Sequence, residues 1–310
     1  MSELLAEVLR SGFVESRHHG EVAVLGPDGA LVAAAGDITA PMFPRSANKP
    51  LQAVGMLRAG LPLTGVELAL VTASHRGEPA HLAVVRRMLG SAGLDEDVLA
   101  CPPAYPLAEP ARHAALRAGM PPSRTFANCS GKHAGMVLTC LANGWPVRGY
   151  LAVDHPVQVA ITDAVADLAG EAVSALGVDG CGAPVHAISL YGLARAFRRL
   201  VDAVPGTAEH AVAAAMRAHP AMVSGTDPGA WDTRLMTAVP GLVSKGGAEG
   251  VSAVAVPRVG AVAVKISDGA MRAVPAVLAS ALRRLGVAVP DLGEPILGGG
   301  VPVGVVRALW

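Results

Sequence analysis

Strand-forming and helix-forming segments are separated along this chain, and that separation limits its fold more than any single residue does. Residues 4–13 are rich in branched and apolar side chains and read as β, as do residues 21–25. Pro27-Asp28-Gly29 then turns the chain into residues 30–33, which is a hairpin pattern. At the far end, residues 251–256 and 261–266 flank Pro257-Arg258-Val259-Gly260 as a second hairpin, and residues 302–308 read as a last strand. Between the two ends the pattern is mostly helical. Helices are expected over 80–92, 109–118, 132–141, 157–168, 184–200, 208–217 and 228–238, with another over 271–285, and glycine and proline clusters separate them. A strand must find a partner, so both chain ends are expected to meet in one sheet. The expected fold class is α/β (α+β). A single domain would hold an antiparallel sheet built from the N- and C-terminal segments (about 1–75 and 240–310) and an inserted, mostly helical middle (about 76–239).

The Pro-flanked loop Ala40-Pro41-Met42-Phe43-Pro44 leads into Arg45-Ser46-Ala47-Asn48-Lys49-Pro50, at the apparent start of an apolar-periodic helix. Residues three apart on a helix share a face, so Ser46 and Lys49 are expected to meet. A serine is a weak nucleophile until a base takes its proton. A lysine is such a base when burial or neighbouring positive charge lowers its pKa. S-x-x-K opens the motif set of the penicillin-binding and class A β-lactamase group. Taken alone, the pair reads first as a helix N-cap followed by a solvated lysine.

Four further clusters carry polar chemistry. The apolar run 66–72 ends in Ser74-His75-Arg76-Gly77-Glu78, which fits a strand-to-loop edge where polar groups converge, or a plain cap for the next helix. Asn128-Cys129-Ser130-Gly131-Lys132-His133-Ala134-Gly135 opens a helix whose backbone N–H groups suit an anion. In Asp179-Gly180-Cys181-Gly182-Ala183-Pro184 the acid and the thiol stand two apart, on one side of an extended segment. Cys129 and Cys181 thus lie in polar, glycine-rich loops, whereas Cys101 and Cys140 sit in apolar surroundings and read as small core residues. Two chemistries fit the loop thiols: a zinc site with one further ligand and an open position, or a cysteine nucleophile paired with His133. Finally, Ser244-Lys245-Gly246-Gly247 occupies, in chain order, the place of the Lys-Thr-Gly element that follows S-x-x-K in the β-lactamase group. Alone it reads as a solvated glycine-rich loop. Together with S-x-x-K and the sheet–helices–sheet layout, it points to an acyl-transfer site.

These strings also carry a family. From Arg45 to Gly250, the motifs R-S-A-N-K-P, A-S-H-R-G-E, C-S-G-K-H-A-G, D-G-C-G-A-P and K-G-G-A-E-G follow in order, and the chain resembles the rhizobial-type L-asparaginases, the asparaginase II family. The opening residues Leu4, Ala6, Glu7, Val8, Arg10 and Gly12 extend the resemblance. It implies hydrolysis of L-asparagine to L-aspartate and ammonia, on a fold akin to the serine β-lactamases and serine-dependent glutaminases. It implies two serine–lysine pairs, Ser46 with Lys49 and Ser74 with Lys245. It further implies a metal, usually zinc, whose ligands fall on Cys129, Lys132 and Cys181. Arg45, His75, Glu78, Asp179, Gly246 and Gly247 are then the candidates for holding the substrate, and a homodimer is expected. Two other readings share parts of the pattern: a β-lactamase or peptidase-like acyl transferase, and a non-catalytic amino-acid sensor.

Composition narrows the partners. Residues are 52% hydrophobic but only 3% aromatic, so the core must be built from Ala, Val and Leu. Lys plus Arg equals Asp plus Glu at 25 each, and this balance argues against nucleic acid as a partner. No apolar run approaches membrane-spanning length, and residues 1–7 lack the basic and apolar regions of a signal peptide. A soluble, cytoplasmic protein is expected.

Overall fold

A computed structural model describes residues 2–310 of the protein. Its main sheet draws on both chain ends. The N-terminal part supplies β1 (Glu3–Arg10), β2 (Phe13–Leu25) and β3 (Leu31–Ala35), and a short β4 (Pro41–Met42) follows. The middle contributes β5 (Ala175–Val178) and β6 (Pro184–Ser189), and the C-terminal part β7 (Val243–Gly247), β8 (Val251–Val256), β9 (Gly260–Ile266), β10 (Ile296–Gly298) and β11 (Val301–Ala308). The order across the main sheet is β10-β11-β1-β2-β9-β8-β7, with β3 also paired to β2. Every pairing is antiparallel. Register seats Ala6 opposite Ala308 on one side of the N-terminal hairpin, and Val22 opposite Val264 on the other. The first two strands are therefore held between the chain's last strands. The hairpin joining them closes through Ser11 (φ 49°) and Gly12 (φ 82°), the left-handed pair that matches strand twist in a two-residue loop. Residues 4–13, expected as one β segment, straddle this turn.

The helices are α1 (Lys49–Arg58), α2 (Gly65–Val71), α3 (Pro79–Gly90), α4 (Glu109–Arg117), α5 (Ser130–Ala142), α6 (Pro156–Ala169), α7 (Leu190–Asp202), α8 (Ala208–Ala218), α9 (Pro220–Ser224), α10 (Trp231–Ala238) and α11 (Val274–Arg284). The fold class is α/β (α+β), with the antiparallel sheet formed from both chain ends and the helices between. α7 packs on β2, β8 and β9, and α11 on β9, β11 and β1. That cover explains why every residue of β8, Val-Ser-Ala-Val-Ala-Val, is buried: a strand covered on its faces reads as a continuous small-apolar run, not an alternation. Each fully buried Val or Leu contributes about 1.5–3 kcal/mol, and Phe197 is the largest apolar side chain wholly inside. No described helix is long and apolar enough to cross a membrane.

Two expected elements differ. Residues 66–72 form helix α2, and no strand leads to Ser74. Short apolar runs do not distinguish strand from buried helix by periodicity alone. Residues 184–200 are not one helix. Their first six residues form β6, fully buried between β4 and β5, and the Ser189 hydroxyl then caps α7 by accepting from Gly192 N at 2.8 Å. The break is masked because the run stays apolar across it.

Candidate active site

Ser46 does not begin an α-helix. Arg45–Asn48 form a 3₁₀ turn, and α1 begins at Lys49, with Pro50 in its first turn, where the missing N–H costs nothing. Arg45 itself is left-handed (φ 52°), a conformation that costs a non-glycine residue about 1–3 kcal/mol unless its surroundings hold it. Here Asp179 holds it: Arg45 Nε donates to Asp179 Oδ1 at 2.8 Å, and Glu249 lies 3.9 Å from Nη1. The residue before the candidate nucleophile is thereby pinned to the turn that carries Cys181.

Lys49 is only 2% exposed. Its Nζ donates to Ala73 O at 2.6 Å and to Ser74 Oγ at 3.1 Å. Lys245, on β7 and 1% exposed, donates to the same Ser74 Oγ at 3.1 Å and to Gly246 O at 2.6 Å. The expected arrangement of two separate pairs is therefore modified. Ser74 is shared by both lysines, and among the described residues Ser46 Oγ makes no hydrogen bond to Lys49 or to any other group. Burial pulls the Lys49 pKa down to about 7. The Cys129 sulfur opposes that fall, and the positive charges of Lys245 and Lys132 add to it. Burial also lowers Lys245, with Asp232 acting against it.

Asp232 went unrecognised in the sequence. Buried in the first turn of α10, it accepts from Ser244 Oγ at 2.5 Å through Oδ1 and from Gly246 N at 2.9 Å through Oδ2. It thus grips β7 on either side of Lys245. The signal available, an acid just after Trp231 at a helix start, says nothing about a strand on another part of the chain.

Gly247 carries β7 against the Ser46 turn. A Cβ on it would stand 2.4 Å from Pro44 O, 2.9 Å from Ala47 N and 3.3 Å from Ser46 N. Gly247→Ala must push the strand away from the turn. We expect it to cost about 1–3 kcal/mol of stability and, by displacing the groups around Ser46, at least about 10²-fold in turnover. Thermal unfolding and steady-state rates check both, and unchanged rates would detach Gly247 from the site.

Two expected substrate contacts are otherwise engaged. His75 is fully buried, its Nδ1 accepting from Gly77 N at 3.1 Å. That leaves the proton on Nε2, 2.7 Å from Ser130 Oγ, which itself donates to Thr125 O at 3.0 Å. Both ring nitrogens are spent on holding the loop. Glu78 spends both carboxylate oxygens on Thr226, accepting from its N at 2.9 Å and its Oγ1 at 3.1 Å. His75 thus has no ring nitrogen left for substrate, whereas each Glu78 oxygen keeps a further lone pair. The Gly246 N–H donates to Asp232, and its carbonyl accepts from Lys245.

The thiols converge beside these groups. Cys129 precedes α5, Lys132 lies in its first turn, and Cys181 sits in the tight turn closed by Gly182 N to Asp179 O at 2.8 Å. Lys132 Nζ is 3.2 Å from Cys181 Sγ. Two thiols and an amine, all buried, are a donor set suited to zinc. Cys101 is a buried core residue, as its apolar setting suggested, and its thiol also lies within 4.8 Å of the Cys129 sulfur.

The profile of the L-asparaginase II family matches residues 6–306. No curated protein sequence matches the chain. Among solved structures, a β-lactamase from Mycobacterium bovis shows 17% identity and a TM-score of 0.39, spanning 86% of this chain and 95% of the other. A simvastatin synthase mutant from Aspergillus terreus shows 12% identity and a TM-score of 0.40, spanning 86% and 88%.

Proposed function

The chain belongs to the L-asparaginase II family, and from that premise we propose that it hydrolyses L-asparagine to L-aspartate and ammonia through an acyl-enzyme on Ser46. The observation that carries the reading is Ser74 Oγ held at 3.1 Å from both Lys49 and Lys245. A hydroxyl between two amines can pass a proton from one to the other side of a reaction centre. Ser46 Oγ attacks the side-chain amide carbon, and neutral Lys49 takes its proton. The oxyanion is held by backbone N–H groups, which we assign to Ser46 and the Gly247 edge of β7; one such donor is worth about 3 kcal/mol. Lys49 returns the proton through Ser74 to the amide nitrogen, the C–N bond breaks, and ammonia leaves. Water then adds to the aspartyl ester, giving its proton to Lys49, which passes it to Ser46 Oγ as the C–O bond to Ser46 breaks and aspartate is released.

Arg45 and Asp179 set the backbone of the nucleophile turn. Asp179 Oδ2, not used by Arg45, is the group we assign to the substrate ammonium. Zinc held by the Cys129–Lys132–Cys181 region would brace the turn at Asp179, its charge balanced by the two thiolates.

The purified protein is expected to release ammonia from L-asparagine, measured beside L-glutamine and a β-lactam. No release from either amide, with and without added zinc, would favour the sensor reading. Turnover of the β-lactam in place of asparagine would favour the acyl-transferase reading.

A further inference from the structure

Lys49 and Lys245 meet Ser74 with matching partners. Each amine donates to one backbone carbonyl at 2.6 Å and to Ser74 Oγ at 3.1 Å. Hydrogen bonding alone does not tell the two apart, yet a relay that must send its proton to the substrate cannot have two amines free to take it. The buried carboxylate of Asp232 supplies the difference. It accepts from Ser244 Oγ at 2.5 Å and from Gly246 N at 2.9 Å, the residues on either side of Lys245. Opposite Lys245 on β8 stands Ala253, which carries no charge. The stretch of chain leading to Asp232 also carries Ser74, whose N–H donates to Val223 O at 3.1 Å. Just ahead of α10, Arg76 pairs with Asp227 and Glu78 with Thr226. Residues 223–232 thus hold the shared hydroxyl at one end and the strand bearing Lys245 at the other.

We propose, resting on the amidohydrolase reading, that Asp232 is the positioning residue that keeps Lys245 an ammonium, so that Lys49 alone of the two amines exchanges a proton. A hydroxyl has two lone pairs and one O–H, whereas an ammonium has three donors and no lone pair. Ser74 therefore cannot lose its proton toward Lys245. Neutral Lys49 takes the Ser46 proton and, now an ammonium itself, fills the second lone pair of Ser74 Oγ. The Ser74 O–H is then left for the amide nitrogen. It passes its proton there as Lys49 replaces it, the C–N bond breaks, ammonia leaves, and Lys49 is neutral again. Lys245 ends as it began. Surroundings that push two neighbouring titratable groups apart assign the base and the acid. Burial lowers both lysines, Asp232 works against that fall at Lys245, and the positive charge of Lys245 adds to it at Lys49.

The test compares L-asparagine with L-aspartate β-methyl ester in wild type and Asp232→Asn. An amide nitrogen leaves only when protonated, whereas an alkoxide departs with much less help. Asp232→Asn keeps both grips on β7, its amide oxygen accepting from Gly246 N and its NH₂ donating to Ser244 Oγ, so only the charge is lost. Its kcat for asparagine is expected to fall about 10²–10³-fold with KM unchanged, while the ester is turned over within about tenfold of wild type. Equal losses on both substrates would make Asp232 a structural grip only. That result, or undiminished asparagine turnover, overturns the inference and leaves the amidohydrolase reading intact. Wild type inactive on both substrates ends that reading instead. The charge assignment is read separately, and without the Asp232 variant, from wild type labelled with [ε-¹³C]lysine. With signals assigned by Lys49→Met and Lys245→Met, Lys245 is expected as an ammonium and Lys49 as a free amine at about pH 8. A free amine at Lys245 overturns the inference, whatever the substrate proves to be.

Discussion

Ser46→Ala is expected to lower ammonia release from L-asparagine by at least about 10⁴-fold, because removing a nucleophile leaves only binding and oxyanion stabilisation. The variant should fold normally: Ser46 is half-buried and its hydroxyl makes no hydrogen bond among the described residues, so the fold loses little with it. Ser74→Ala is the companion measurement. Its hydroxyl accepts from two lysines, so its loss should interrupt proton delivery to the leaving amine and cost about 10²–10⁴-fold, the usual range for acid–base assistance. The two variants separate under single-turnover conditions. Ser46→Ala should form no acyl-enzyme at all, whereas Ser74→Ala should form it slowly. If Ser46→Ala keeps turnover within tenfold of wild type and Ser74→Ala forms no covalent species, the nucleophile is Ser74, the serine that Lys49 touches here.

Lys49→Met should cost about 10²–10⁴-fold in kcat/KM while making the protein more stable. In the wild type, kcat/KM is expected to rise with pH and level off above about 7, where Lys49 is neutral and able to accept the Ser46 proton. The variant should lack that acid limb. The stability effect follows from linkage. Folding lowers Lys49 from the ordinary lysine value of 10.5 to about 7, so the unfolded chain binds this proton more tightly. The penalty is complete below pH 7 and is lifted as pH rises from 7 to 10.5. Each unit of depression corresponds to about 1.4 kcal/mol. Against this, methionine leaves Ala73 O without its donor, at a cost of about 1–3 kcal/mol. The Tm of Lys49→Met should therefore exceed wild type most clearly at pH 6–7 and converge with it toward pH 10. A Tm below wild type at pH 6 would show that the lysine supports the fold and is not a charge held at its expense.

Much of the fold is legible in local pattern. The terminal hairpins announce themselves through Pro27-Asp28-Gly29 and Pro257-Arg258-Val259-Gly260, and helices such as α6 and α8 through apolar spacing closed by glycine or proline. Less legible are elements whose identity is set by their neighbours. Residues 243–247, glycine-rich and polar in sequence, become strand β7 because β8 pairs with them and Asp232 grips them. At the site, the residue types were readable but not their pairing. Ser46 and Lys49 stand three apart, yet the amine of Lys49 reaches to Ser74, a partner 25 residues away. Asp232 was passed over for the same reason: it matters only through residues that the fold brings from elsewhere. His75 drew attention by being polar and adjacent to Ser74, while its hydrogen bonds are spent on keeping that loop in shape.

The placing of β1 and β2 between β11 and β9 bears on when the protein can first act. During synthesis Ser46, Lys49 and Ser74 are made early, but the N-terminal hairpin stays open on both flanks until residues 260–308 arrive. Such long-range pairings form slowly and leave bare strand edges meanwhile. Lys245 is carried on the far edge of that same unfinished sheet. A nascent chain thus holds Ser46 without the second amine or a closed scaffold until residues 260–308 have been made.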